Sequence, residues 1–218
     1  MFAEKKIMLE VTPKNSSATS GFVPKGKISF EDFLVEYDGQ FAEWIDGEVF
    51  LDMSASDRHQ DLVSFLSSIL RCYVEENDLG VIRTAPLVMK MQKTERGREP
   101  DLLFVSKKNL DRLKKNYLDG AADLVIEIIS PESRGRDRGD KFYEYEKEGV
   151  KEYWLIDYER KQAEFYNPDK KGIYQLSTPD ENNIFHSRAV KNLNLNVEWL
   201  WQKKLPTLLE VLRDWKLI

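Results

Sequence analysis

Between Pro100 and Asp157 the chain reads PDLLFVSKKNLDRLKKNYLDGAADLVIEIISPESRGRDRGDKFYEYEKEGVKEYWLID. Two short apolar segments here each carry a carboxylate: Asp101 opens LLFV, and Glu127 interrupts LVIEII. A charged segment, DRGDKFYEYEKE, follows with helical spacing and is closed by Gly149. A third apolar segment, EYWLID, comes after it. An ionised side chain inside a buried strand is costly unless it is paired or binds a metal. Glu127 therefore requires a partner. Strand alternation places Val125, Glu127 and Ile129 on one face and Ile126 and Ile128 on the other. On the following helix Asp137, Lys141 and Tyr145 recur at four-residue spacing and share a face.

Working outward, Asp57 to Glu76 is the clearest helix, with Leu62, Val63, Leu66, Ile69, Leu70 and Tyr73 on one face. His59 falls on that same face. Val81 to Met91 reads as a strand, Gln92 to Glu99 as a polar turn, and Pro100 to Val105 as the returning strand. The segment SKKNLDRLKKNYLDG is a charged connection, and Ala122 to Ser130 is a buried strand ended by Pro131. The order is helix, strand, strand, strand, helix, strand. The first helix carries His59, the second strand Asp101, the third Glu127, and the second helix Lys141.

Upstream, Phe41 to Met53 forms two alternating runs around Asp46-Gly47, a hairpin signal. Glu43 and Glu48 lie on either side of that turn. Ser29 is the N-cap expected for a short helix, FEDFLVEY. Residues 1–25 read as a flexible leader, with Ile7 to Val11 compatible with an edge strand; 26–218 read as a single domain. Downstream, AEFYN, GIYQLS and FHSRAVKN have the character of antiparallel strands, and Pro206 opens a last amphipathic helix. The fold class is α/β, a mixed sheet flanked by helices.

The chain has 218 residues, of which 41 % are hydrophobic, enough to bury a core. A net charge of −5 gives no bulk attraction to nucleic acid or an anionic membrane, so any DNA site must be a local basic patch. Arg134, Arg136 and Arg138, with Lys107, Lys108, Lys114 and Lys115, are the candidates for phosphate contact. Cys72 is the one cysteine, which excludes an intrachain disulfide and fits a reducing cytosol. It is expected to be a buried, inert side chain. No apolar run is long enough to span a bilayer, and no signal peptide is read. A cytoplasmic protein without a membrane partner is the expectation.

Two carboxylates from adjacent strands can share a divalent ion, and an oxygen donor set suits Mg²⁺ or Mn²⁺. A nearby lysine would neutralise charge developing on a phosphoryl oxygen. The stretches AEWIDGEVFLDMS, Asp57-Arg58-His59-Gln60, Pro100-Asp101 and Leu124 to Asp157 resemble the Uma-two family of restriction-endonuclease-like proteins, within the PD-(D/E)xK nuclease superfamily. The resemblance covers about residues 28 to 160. It implies a restriction-endonuclease-like core, here with an added N-terminal hairpin and C-terminal strands, and metal-dependent cleavage of DNA. It also implies an acid-x-Lys triplet, from which this sequence departs: Ile129 stands where the lysine belongs.

Asp101 and Glu127 are expected to hold the metal, with Glu48 preferred over Glu43 to complete its shell. His59 occupies the place where the superfamily tends to set a carboxylate, and it assists as ligand or base. Lys141 replaces the missing strand lysine. Tyr153, Trp154 and Trp199, taken as an exposed aromatic set, would support a homodimer on DNA. The alternative is a nuclease fold that binds nucleic acid or a protein partner without cutting, with Glu127 and Lys141 as a structural ion pair.

Overall fold

The computed structural model describes residues 21–23, 26–51, 56–129 and 134–218. The chain begins with β1 (Gly21–Val23), α1 (Phe30–Glu36) and a hairpin of β2 (Ala42–Ile45) and β3 (Glu48–Leu51). Ser29 caps α1 by accepting from the Asp32 amide at 3.0 Å. Asp46 and Gly47 turn the hairpin with φ of 53° and 88°, the left-handed pair that a two-residue turn requires. Next come α2 (Asp57–Glu76), β4 (Gly80–Thr84), β5 (Val88–Met91), β6 (Arg96–Arg98) and β7 (Leu102–Ser106). A 3₁₀ turn (Lys107–Arg112), β8 (Tyr117–Asp119) and β9 (Leu124–Ile128) follow. A helical run made of α3 (Arg134–Arg136), a π turn (Asp137–Lys141) and α4 (Phe142–Glu148) crosses to β10 (Glu152–Asp157). The chain finishes with β11 (Gln162–Pro168), β12 (Tyr174–Ser177), β13 (Ile184–His186), β14 (Asn194–Asn196), a 3₁₀ turn (Val197–Trp201) and α5 (Leu208–Asp214).

Among the described residues the strands make two six-stranded sheets and the small pair β13–β14. The first sheet has the order β1-β3-β2-β6-β5-β8, the second β12-β11-β10-β9-β7-β4. In the second, β4, β7 and β9 are successively antiparallel, and β9 and β10 are parallel. A parallel pair needs a crossover, and the helical run carrying Lys141 supplies it. Along the chain α2, β4, β7, β9, the helical run and β10 follow in that order, with β5, β6 and β8 of the first sheet inserted between them.

Each face of the second sheet has its own core. Ile126, Ile128, Phe104 and Trp154 pack against Leu62, Leu66, Ile69 and Leu70 of α2, with α5 beyond. Val125, Ile129, Tyr153 and Leu155 pack on the other side with Tyr145 of α4 and with Met89 and Met91 of the first sheet. Glu127 faces this second core.

Several expectations are corrected. The stretch from Val81 to Met91 is two strands in different sheets, broken at Pro86, which has no amide to donate to a ladder. Within the supposed polar turn Gln92–Glu99, residues Arg96 to Arg98 are a strand, and Arg98 is 1 % exposed. Tyr153, Trp154 and Trp199 are buried, so they offer no surface for a dimer. Cys72 is half-buried. Gly21–Val23, for which no strand was expected, pairs with β3 at the edge of the first sheet. The Ile7 to Val11 segment lies outside the described residues. No helix among the described residues is long and apolar enough to cross a membrane.

Candidate active site

Strand β7 lies against β9 with Leu102 opposite Ile126, which brings Asp101 to the level of Glu127. The Asp101 Oδ2 accepts from the Ile128 amide at 2.7 Å and stands 3.1 Å from His59 Nε2. His59 is placed by its position in the first turn of α2, where its amide donates to the Ser56 cap at 3.1 Å. The Asp101 side chain keeps 20 % exposure, whereas that of Glu127 keeps 4 %. Asp101 is thus the member of the pair nearer to solvent.

Lys141 reaches Glu127 from the helical run. Its Nζ donates to Glu127 Oε1 at 3.0 Å and also lies 3.3 Å from Glu43 Oε1 and 3.4 Å from Asp137 Oδ1. Tyr145 donates its hydroxyl to the same Glu127 oxygen at 2.7 Å. The π turn helps three residues face one point. In an α-helix four residues advance about 40° past a full turn, so the drift accumulates from Asp137 to Tyr145. The wider π turn over Asp137–Lys141 takes part of that drift out.

The first sheet closes the floor. Glu43, Ile45, Glu48 and Phe50 share one face, because Glu43 pairs with Phe50 and Ile45 with Glu48. Of these, Glu43 lies deep and Glu48 lies beside the turn, about 7 Å further along the strand. Glu43, not Glu48, meets Lys141. The sequence did carry a signal for this: Glu43 has apolar neighbours on both sides, while Glu48 abuts Gly47. Arg98, unanticipated from sequence, donates Nη1 to Glu43 Oε2 at 2.7 Å, and Nε and Nη2 to Glu144 at 2.7 and 3.0 Å.

Electrostatics follow from this crowding. Burial alone would raise the Glu43 carboxyl, but Lys141 and Arg98 override it and hold the pKa at about 2. Glu127 goes the other way: burial, with Asp137, Asp101 and Glu43 nearby, outweighs Lys141 and pushes it well above the usual carboxylate range. Burial would lower Lys141, yet Glu127, Glu43 and Asp137 hold it firmly protonated. Burial and the neighbouring Glu127 likewise keep the Tyr145 hydroxyl a neutral donor.

Asp101 and Glu127 are hard oxygen donors, the donor chemistry that Mg²⁺ or Mn²⁺ prefers. Among the described residues no three His, Cys, Asp or Glu side chains form a ready cage. Mg²⁺ does not need one, since it is held by one or two carboxylates and keeps waters or takes phosphate oxygens. The donor set therefore fits such an ion.

The basic candidates are partly committed elsewhere. Arg138 donates to Glu164 at 3.0 and 2.6 Å and reaches Asp157 at 3.4 Å. Lys107 pairs with Asp78, and Lys114 donates to the Asp111 carbonyl at 2.8 Å.

The sheet order and the crossover helix define a mixed α/β protein with helices against its sheets. The chain matches, over residues 29–198, the family Uma2, described as "Putative restriction endonuclease", and it belongs to that family. Among solved structures it is similar to a protein described as a "putative nuclease belonging to DUF820" from Anabaena variabilis ATCC 29413. The TM-score is 0.62 at 18 % identity, over 73 % of this chain and 89 % of the other, a likeness of fold. No curated protein matches the chain.

Proposed function

We propose that the protein is a divalent-metal-dependent endonuclease that hydrolyses DNA phosphodiester bonds. The observation that carries this reading is the register that sets Asp101, just before β7, level with Glu127 on β9, with the Lys141 ammonium of the crossover helix 3.0 Å from Glu127. Asp101 and Glu127 would hold Mg²⁺ or Mn²⁺, which when bound acidifies a water and neutralises phosphoryl charge. Lys141, kept protonated by three carboxylates, serves as a fixed positive charge for the transition state rather than as a base. His59, oriented by Asp101, is the group at hand to accept a proton in its neutral form. Tyr145 fixes the rotamer of Glu127. The test is nicking of supercoiled plasmid in Mg²⁺ or Mn²⁺ by wild type, Asp101→Asn and Lys141→Met. Metal-dependent nicking lost in both variants supports the reading; no nicking by wild type with either metal counts against it.

One observation favours a second reading, a nuclease fold that binds without cutting. Lys141 and Tyr145 both occupy Glu127 Oε1, which closes that oxygen. Wild type that retards DNA but does not nick it would support this.

A further inference from the structure

We infer that Arg98 is a positioning residue: through Glu43 it fixes where the Lys141 ammonium stands against Glu127. The route is continuous and short. Arg98 Nη1 lies 2.7 Å from Glu43 Oε2, the other Glu43 oxygen lies 3.3 Å from Lys141 Nζ, and Lys141 lies 3.0 Å from Glu127. Each oxygen of Glu43 thus serves one cation, and the carboxylate cannot rotate without releasing one of them. Glu43 in turn cannot drift, because the other edge of the Arg98 guanidinium is held by Glu144, three residues past Lys141 on the same helical run. Arg98 therefore sets strand β2 and the helix carrying Lys141 in a single register.

The role demands arginine. A planar fork can donate to two carboxylates in fixed directions, and a lysine ammonium cannot keep that geometry. Arg98 lies within the protein, 1 % exposed, and touches neither Asp101 nor Glu127, so it acts through other residues. The catalytic consequence rests on the nuclease reading; the positioning itself does not.

The test follows Lys141 directly. In the full chain labelled with ¹⁵N-lysine, the Lys141 NH₃⁺ resonance is identified by its loss in Lys141→Met, and its proton exchange with water is measured. Wild type should show a protected resonance. Glu43→Gln, which keeps the side-chain volume, and Arg98→Lys should each speed exchange by at least about tenfold and shift the resonance, since an unheld ammonium samples water. Near-UV circular dichroism checks that both remain folded, and Glu43→Gln decides alone if Arg98→Lys does not. Wild-type exchange in folded Glu43→Gln, or no protected resonance in wild type, overturns the inference. If wild type nicks plasmid, both variants should lower kcat by at least about tenfold with little change in KM. If wild type does not nick but the exchange pattern holds, the nuclease reading falls and the positioning stands.

Discussion

Lys141 donates to Glu127 from a helix, 3.0 Å from a carboxylate that sits on a strand. Two residues along that strand, where an acid-x-Lys triplet would put its lysine, Ile129 is fully buried in apolar company. The positive charge at this site thus comes from the crossover rather than from the strand.

Removing either partner should have unequal effects. Lys141→Met leaves Glu43, Glu127 and Asp137 crowded without their shared cation and is expected to cost about 3–5 kcal/mol. Glu127→Gln retains an acceptor for Tyr145 and relieves carboxylate repulsion, so it should cost less than about 1 kcal/mol. Urea unfolding at neutral pH compares them. Equal losses would contradict the electrostatic account.

Restoring the triplet should not help. Ile129→Lys places a cation among Val125, Leu155 and Tyr153, and is expected to destabilise by several kcal/mol. Nicking activity should not rise. A stable Ile129→Lys variant with higher activity would show that the strand position remains usable.

Acid sensitivity should trace to Glu43. Its folded pKa of about 2 lies below the ordinary 4.5, so the stability it contributes is present above that ordinary value and is lost as pH falls through about 2. The difference corresponds to about 3 kcal/mol. Glu127, raised in the folded protein, has the opposite sign: its contribution is present at low pH and is lost as pH rises through its folded pKa. Glu43→Gln should therefore lose less stability than wild type between pH 4.5 and 2. Parallel acid branches in the two proteins would refute this.

Glu152 should be a structural anchor. Buried at the start of β10, it accepts from Trp154 Nε1 and Ser187 Oγ, both at 2.7 Å, from Asn167 Nδ2 at 3.0 Å, and from the amides of Arg188 and Ala189 at 2.6 and 3.1 Å. Glu152→Ala orphans these donors and is expected to cost at least about 3 kcal/mol by urea unfolding. A loss under 1 kcal/mol would mean that water replaces the carboxylate.

Most of the local structure was legible because apolar periodicity encodes it. Helix α2, the hairpin at Asp46-Gly47, the facing of Glu127 and the strand β10 all follow from residues near one another in sequence. What was not legible is non-local. Nothing near Pro86 says that the strands before and after it join different sheets. Arg96 and Arg98 look like a solvated turn until Glu43, Asp46 and Glu144, about fifty residues away on either side, are brought against them. Glu43 and Glu48 share a sheet face, so alternation could not choose between them, and the apolar neighbours of Glu43 were the local hint of its depth. Tyr153 and Trp154 read as exposed because their cover is non-local: Tyr145 and the first sheet close over Tyr153, and helix α2 with Phe165 and Phe185 closes over Trp154.

The proposed function requires that Asp101 and Glu127 together bind a divalent cation in the presence of phosphate oxygens. Calorimetric titration of Mg²⁺ and Mn²⁺ into the protein with a short DNA duplex, repeated on Glu127→Gln, measures this directly. Wild type should bind the metal, and Glu127→Gln should lose that binding. Binding of equal affinity in Glu127→Gln, or none by wild type with DNA present, would contradict the proposed function.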